Sequence, residues 1–194
     1  MKRDKNSNGK KMKYNIPILL TYLRIVAIPF VVALHYMDYP FMTAFVFGMA
    51  GFTDWVDGYL ARKWNQESRF GAFLDPVADK LMVAVALVLV AVDQNTIWVT
   101  VAAAIIICRE LVISALREWM AEVGQRSKVA VGMIGKIKTG AQMTSLICLL
   151  YDKTLLGIPF HEIGLILLAL ATVLTVWSMV LYLIDAFKPT SDSQ

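Results

Sequence analysis

Charge is scarce in this chain, and so are histidine and cysteine. Only 18% of its 194 residues are charged, and it contains two histidines and two cysteines. Cys108 and Cys148 fall in different apolar stretches, with no CxxC pair and no histidine beside them. That leaves no zinc-site or disulfide pattern, and both read as small buried apolar side chains. No internal repeat or low-complexity tract stands out, and nothing suggests a nucleic acid partner.

What is abundant is apolar surface. The sequence is 58% hydrophobic with a mean hydropathy of +0.59, outside the usual range of a soluble domain this size. It reads as an integral membrane protein. A spanning helix needs about 20 mostly apolar residues, and six such runs occur, at roughly 16–37, 41–60, 76–93, 96–116, 139–157 and 162–187. The expected fold is therefore all-α and polytopic, with six transmembrane helices and both termini in the cytoplasm. Residues 1–15 form a basic cytoplasmic segment, 16–187 the membrane domain and 188–194 a short tail. The first run contains Arg24, Pro17 and Pro29 and lacks a small-x-small site, so it is expected to stay as an uncleaved span.

The basic residues test this topology. With a cytoplasmic N-terminus, all of the 19 lysines and arginines except Lys153 fall on cytoplasmic segments or the helix ends facing them. Such one-sidedness is the positive-inside pattern. It makes the net +4 charge a basic cytoplasmic face suited to anionic headgroups and phosphorylated substrates. Tryptophans 55, 64, 98 and 119 lie near span ends as interface anchors, and Trp177 reads as packing. His35 and His161 fall near the opposite surface.

Four aspartates interrupt this apolar plan in the stretch "TDWVDGYLARKWNQESRFGAFLDPVADK". Asp54, Asp57, Gly58, Ala61 and Arg62 follow i, i+3, i+4, i+7 and i+8, which puts them on one helix face at the cytoplasmic end of the second span. Gly71, Asp75 and Asp79 repeat at i, i+4 and i+8. Pro76 allows a second geometry, with Asp75 as the N-cap of the third span. In either case Asp75 and Asp79 stay within about one helical turn. An aspartate at mid-helix costs about 2.5–3.5 kcal/mol to insert, so four together need cations. With no histidine or cysteine nearby, the donors are all oxygen and suit Mg²⁺, Mn²⁺ or Ca²⁺ rather than zinc or copper. Two divalent ions would balance four carboxylates, a device used for displacement at phosphorus. Pairing with Arg62, Arg69 and Lys80 as ordinary interfacial charges is the simpler alternative, and it suits one or two aspartates better than four.

The pattern D-x2-D-G-x2-A-R-x8-G-x3-D-x3-D, met at Asp54, Asp57, Gly58, Ala61, Arg62, Gly71, Asp75 and Asp79, resembles the signature of the CDP-alcohol phosphotransferase (CDP-alcohol phosphatidyltransferase) family. The segments "NIPILLTYLRIVAIPF", "RELVISALREWMAE" and "GKIKTGAQM" are similar to bacterial members that use glycerol 3-phosphate. The resemblance implies a homodimer in the bacterial inner membrane, with its active site open to the cytoplasm. It also implies Mg²⁺ or Mn²⁺, as two ions, held by Asp54, Asp57, Asp75 and Asp79, with Asp79 as the general base. Gly58, Ala61, Arg62 and Gly71 are then expected to shape the CDP pocket, joined by Asn15 and Thr21.

The implied substrates are CDP-diacylglycerol, drawn from the membrane lipids, and sn-glycerol 3-phosphate. A phosphate dianion calls for fixed positive charge, which Arg109, Arg117, Lys136 and Lys138 would supply, with Arg24 as a further candidate. Other acceptors, as in cardiolipin or phosphatidylinositol-phosphate synthesis, fit the same signature. A divalent-cation transporter would also want intramembrane acids, but nearer the bilayer midplane.

Overall fold

The computed structural model describes residues 16–64, 69–122, 133–155 and 157–187. Side chains at 16–20, 54–64, 69–73, 121, 133–136 and 185–187 lie outside the described residues. Among the described residues six helices run in order: α1 (Ile16–Tyr36), α2 (Pro40–Trp64), α3 (Arg69–Gln94), α4 (Ile97–Glu122), α5 (Met133–Tyr151) and α6 (Phe160–Phe187). Two-residue strands β1 (Thr154–Leu155) and β2 (Ile158–Pro159) form an antiparallel pair before α6.

Local chemistry sets the helix ends. After α1, Asp38 adopts a left-handed φ of 58°, its N–H donating to the His35 carbonyl while the Tyr39 N–H donates to that of Leu34. This is a Schellman stop, with aspartate in the place glycine usually takes. Pro40 then opens α2 at the position where a missing N–H costs nothing. Asn95, at φ 42°, ends α3 in the same left-handed way, and Thr96 starts α4 by accepting the Thr100 N–H at 3.1 Å.

Packing closes the helices into a ring in the order α1, α2, α5, α6, α4, α3, with α3 and α5 also touching across it. The α5–α6 contact is the most extensive. Ser145 of α5 donates to the Gly164 carbonyl of α6 at 2.7 Å. A Cβ on Gly164 would lie 2.7 Å from the Leu149 Cγ, so only glycine permits this approach. The core inside the ring includes Phe47, Leu87, Ile106, Leu146, Leu149 and Leu168.

The outer surface is apolar, and several polar groups lie inside the bundle beside its apolar core. Leu23, Phe30, Ile97, Ile166, Val173 and Ile184 are exposed, whereas Thr21, Arg24, Arg109, Lys138, Gln142 and Ser178 are buried. Ile97–Met120 and Phe160–Ile184 are long and apolar enough to cross a membrane, with mean hydropathies of 2.1 and 2.4. Only 33% and 28% of those windows are buried in the protein, which suits lipid-facing helices rather than the core of a soluble domain. Among the described residues the fold is thus all-α, apart from the short hairpin, and of membrane type.

Several boundaries differ from the hydropathy reading. Helix α3 begins at Arg69, not near 76, and Pro76 lies inside it. Asp75 is therefore a helical residue and not an N-cap; the apolar stretch 70–74, bounded by Arg69 and Asp75, is too short to register in a hydropathy window. Helix α5 begins at Met133 and ends at Tyr151, earlier at both ends than the apolar run. Its polar residues Lys138, Gln142 and Ser145 share one buried face, and beyond Tyr151 the chain pairs β1 with β2, with Gly157 at φ 81° just before β2. Trp177 is 61% exposed, so it faces outward and does not pack inside. Cys108 is exposed too, while Cys148 is buried as expected.

Candidate active site

The four expected carboxylates lie on two helices, α2 and α3. α2 is continuous through Asp54, Asp57, Gly58, Ala61 and Arg62, so their Cα atoms share one face, although their side chains lie outside the described residues. Gly71 lies on the α3 backbone, and Asn15 lies outside the described residues. Asp75 and Asp79 stand one turn apart on α3 and are both described.

α1 lies alongside that turn with matching spacing. Thr21 Oγ1 donates to Asp75 Oδ1, and Arg24 Nη1 donates to Asp79 Oδ1 in an ion pair. Thr21 and Arg24 are i and i+3 on one face, as Asp75 and Asp79 are i and i+4, so two helices meet rung against rung. The Arg24 side chain is buried, but that of Asp79 remains 40% exposed. One carboxylate face is thus fixed by protein and another is open.

A second cluster, of cations, lies across the ring. Arg109 on α4 donates from Nη1 to Glu110 Oε1 at 3.0 Å and from Nη2 to Ser178 Oγ on α6 at 3.0 Å. Lys138 on α5 donates to the same Glu110 oxygen. Arg117 donates from Nη2 to the Tyr182 hydroxyl at 3.1 Å, and the Tyr182 ring lies 5.4 Å from the Arg117 Cζ and 5.6 Å from the Arg109 Cζ. Of the expected acceptor residues, Arg109, Arg117 and Lys138 are therefore brought together through shared partners. The Lys136 side chain lies outside the described residues, and Arg24 belongs with the carboxylates instead.

Glu110, Ser178 and Tyr182 were not among the residues expected from sequence. A signal for Glu110 was available: it is a carboxylate inside an apolar run, adjacent to an arginine already singled out. Lys80, next to Asp79, and Glu110 line one small crevice of about 30 Å³ between α3 and α4. Both clusters therefore sit at one level of the bundle.

The opposite end is different. His35 Nε2 lies 3.1 Å from Asp93 Oδ2, and His161 pairs with Asp152. Near it, a cavity of about 330 Å³ is lined by apolar groups, including Phe41, Phe45, Ile147 and Phe160. Among the described residues that line it, Tyr151 is the one with an ionisable side chain.

The described donors suit a hard cation. Asp75 and Asp79 offer carboxylate oxygens from consecutive turns, with the Thr21 hydroxyl at hand and neither imidazole nor thiolate in the cluster. Among the described residues no three acids, histidines or cysteines form a metal group; Asp54 and Asp57, which would enlarge this set, have side chains outside them.

Residues 14–177 match the CDP-alcohol phosphatidyltransferase family. A Haemophilus influenzae protein named CDP-diacylglycerol–glycerol-3-phosphate 3-phosphatidyltransferase is 56% identical over 176 residues, covering 89% of this chain and 93% of that protein. Proteins of the same name from Salmonella choleraesuis and Shigella flexneri serotype 5b are 53% and 54% identical over 175 residues, each covering 89% of this chain and 94% of the relative.

Proposed function

Since the chain belongs to the CDP-alcohol phosphatidyltransferase family, we propose that it transfers the phosphatidyl group of CDP-diacylglycerol to sn-glycerol 3-phosphate, releasing CMP. The product is phosphatidylglycerophosphate. The observation that carries this reading is the identity of more than half, over 89% of the chain, to proteins named for that reaction.

The acceptor's primary hydroxyl oxygen forms a bond to the phosphorus bearing diacylglycerol. The bond from that phosphorus to the CMP oxygen breaks, and the hydroxyl proton passes to the Asp79 carboxylate. Arg24 orients that carboxylate through its ion pair, and Thr21 does the same for Asp75. Asp54, Asp57, Asp75 and Asp79 would hold Mg²⁺ or Mn²⁺, as two ions. When bound, such ions polarise phosphoryl oxygens and balance charge on the departing phosphate. Gly58, Ala61, Arg62 and Gly71 shape the site for the CDP group, with Asn15 as a further candidate.

Arg109, Arg117, Lys136 and Lys138 receive the acceptor phosphate. Arg109 and Lys138, both buried at the level of Asp79 with one carboxylate between them, support this assignment, because two cations held so far from water exceed that single anion. The membrane domain is taken as residues 16–187, with six spans, both termini in the cytoplasm and the site open on that side of the bacterial inner membrane. The protein works as a homodimer. The one-sided basic residues support the orientation.

The test is CMP release by the purified protein, with CDP-diacylglycerol and a panel of alcohols, before and after chelation. We expect metal-dependent CMP with glycerol 3-phosphate. Release only with another alcohol removes the acceptor assignment, and no release with any acceptor removes the transferase reading.

A further inference from the structure

Two cations placed side by side in an apolar bundle need something to fix their spacing. Arg109 is 6% exposed and Lys138 3% exposed, and they come from different helices. One oxygen of Glu110 accepts from both, so the cations stand within two hydrogen-bond lengths of each other. The chain of bonds continues from Arg109 to Ser178, whose hydroxyl donates to the Thr175 carbonyl at 3.0 Å. The Glu110 carboxylate thereby ties α5 to α4, and Arg109 ties α4 to α6.

The charges do not cancel. Arg109, Arg117 and Lys138 carry three positive charges against the one negative charge of Glu110, and the buried Nε of Arg109 has no hydrogen-bond partner among the described residues. The surplus of two matches a phosphate monoester dianion. We infer that Glu110 is a positioning residue of the acceptor site, holding Arg109 and Lys138 at the spacing that grips the acceptor phosphate. This deepens the proposed function and rests on it.

The alternative role, charge neutralisation, has the opposite sign. Removing a negative charge beside a site for an anion strengthens anion binding if Glu110 only neutralises, and weakens it if Glu110 sets the geometry. Glu110→Gln is therefore expected to raise the KM for glycerol 3-phosphate by about tenfold or more while moving the KM for CDP-diacylglycerol by less than about twofold. Glu110→Asp, with its carboxylate drawn back by one methylene, should fall between. Ser178→Ala, which changes no charge, should raise the same KM to a smaller degree. Because Glu110 acts through Lys138, the double variant Glu110→Gln/Lys138→Ala should be little worse than Lys138→Ala alone.

An unchanged or lowered glycerol 3-phosphate KM in Glu110→Gln overturns the proposal. So does an equal rise for both substrates, or full multiplication of the two single effects. If Glu110→Gln does not yield a monodisperse protein, Glu110→Asp and Ser178→Ala carry the test, and an unchanged KM in both overturns it. Wild-type protein that is inactive with glycerol 3-phosphate removes the proposed function itself. Active wild type with an unaffected Glu110→Gln removes only the role of Glu110.

Discussion

Arg24 of α1 is buried against α3 and forms an ion pair there with the half-open carboxylate of Asp79. Its place in the proposed reaction is to hold Asp79, so its loss should be felt in turnover. Arg24→Ala is expected to lower kcat by about tenfold or more, with Arg24→Lys intermediate because an ammonium supplies the charge without the planar fork. Steady-state kinetics checks this, and a kcat within about twofold of wild type in Arg24→Ala would refute it.

Asp79→Asn keeps the size of the side chain and removes the proton acceptor. Turnover should fall by about 10²–10⁴-fold, the range of a lost general base, while CDP-diacylglycerol still binds. Binding of the lipid followed separately from CMP release distinguishes the two. Full activity in this variant would refute Asp79 as base.

The all-oxygen cluster predicts a hard-cation requirement. Chelation should abolish CMP release, and Mg²⁺ or Mn²⁺ should restore it. Thr21→Val removes the hydroxyl that holds Asp75, so it should raise the Mg²⁺ concentration needed for half-maximal rate, and Thr21→Ser should restore it. A metal titration unchanged in Thr21→Val would show that this hydrogen bond plays no part in ordering Asp75.

Gly164 tests the packing independently of chemistry. Its missing side chain leaves room for Leu149, whose Cγ a new Cβ would meet at 2.7 Å. Leu149 is itself fully packed, so Gly164→Ala should cost about 1–3 kcal/mol of stability. A lower thermal midpoint in detergent is the expected reading, and an unchanged midpoint would mean that α5 and α6 can part without loss.

Apolar runs were enough to locate six helices, because lipid imposes continuous hydrophobicity on whatever faces it. They missed the first turns of α3, where Arg69 and Asp75 bound an apolar stretch of only five residues and Pro76 marks a boundary on local grounds. They also shifted α5, whose polar side chains point into the bundle. For the site, spacing identified Asp75 and Asp79 as neighbours, since one helix relates them. Glu110 with Lys138, Arg109 with Ser178 and Arg24 with Asp79 are meetings between helices. A single sequence shows that each buried charge needs a partner without showing which one it finds.

The ring order gives these meetings a common arrangement. Among the described side chains, the carboxylates and their braces belong to α1 and α3, whereas the cation cluster belongs to α4, α5 and α6. The two sets share the seam where α3 meets α4 and α5. On the proposed reaction, the donor is handled by the first half of the chain and the alcohol by the second. A change of alcohol then requires new side chains only on the last three helices, and hybrids joined between α3 and α4 should inherit their acceptor from whichever parent supplies the C-terminal half.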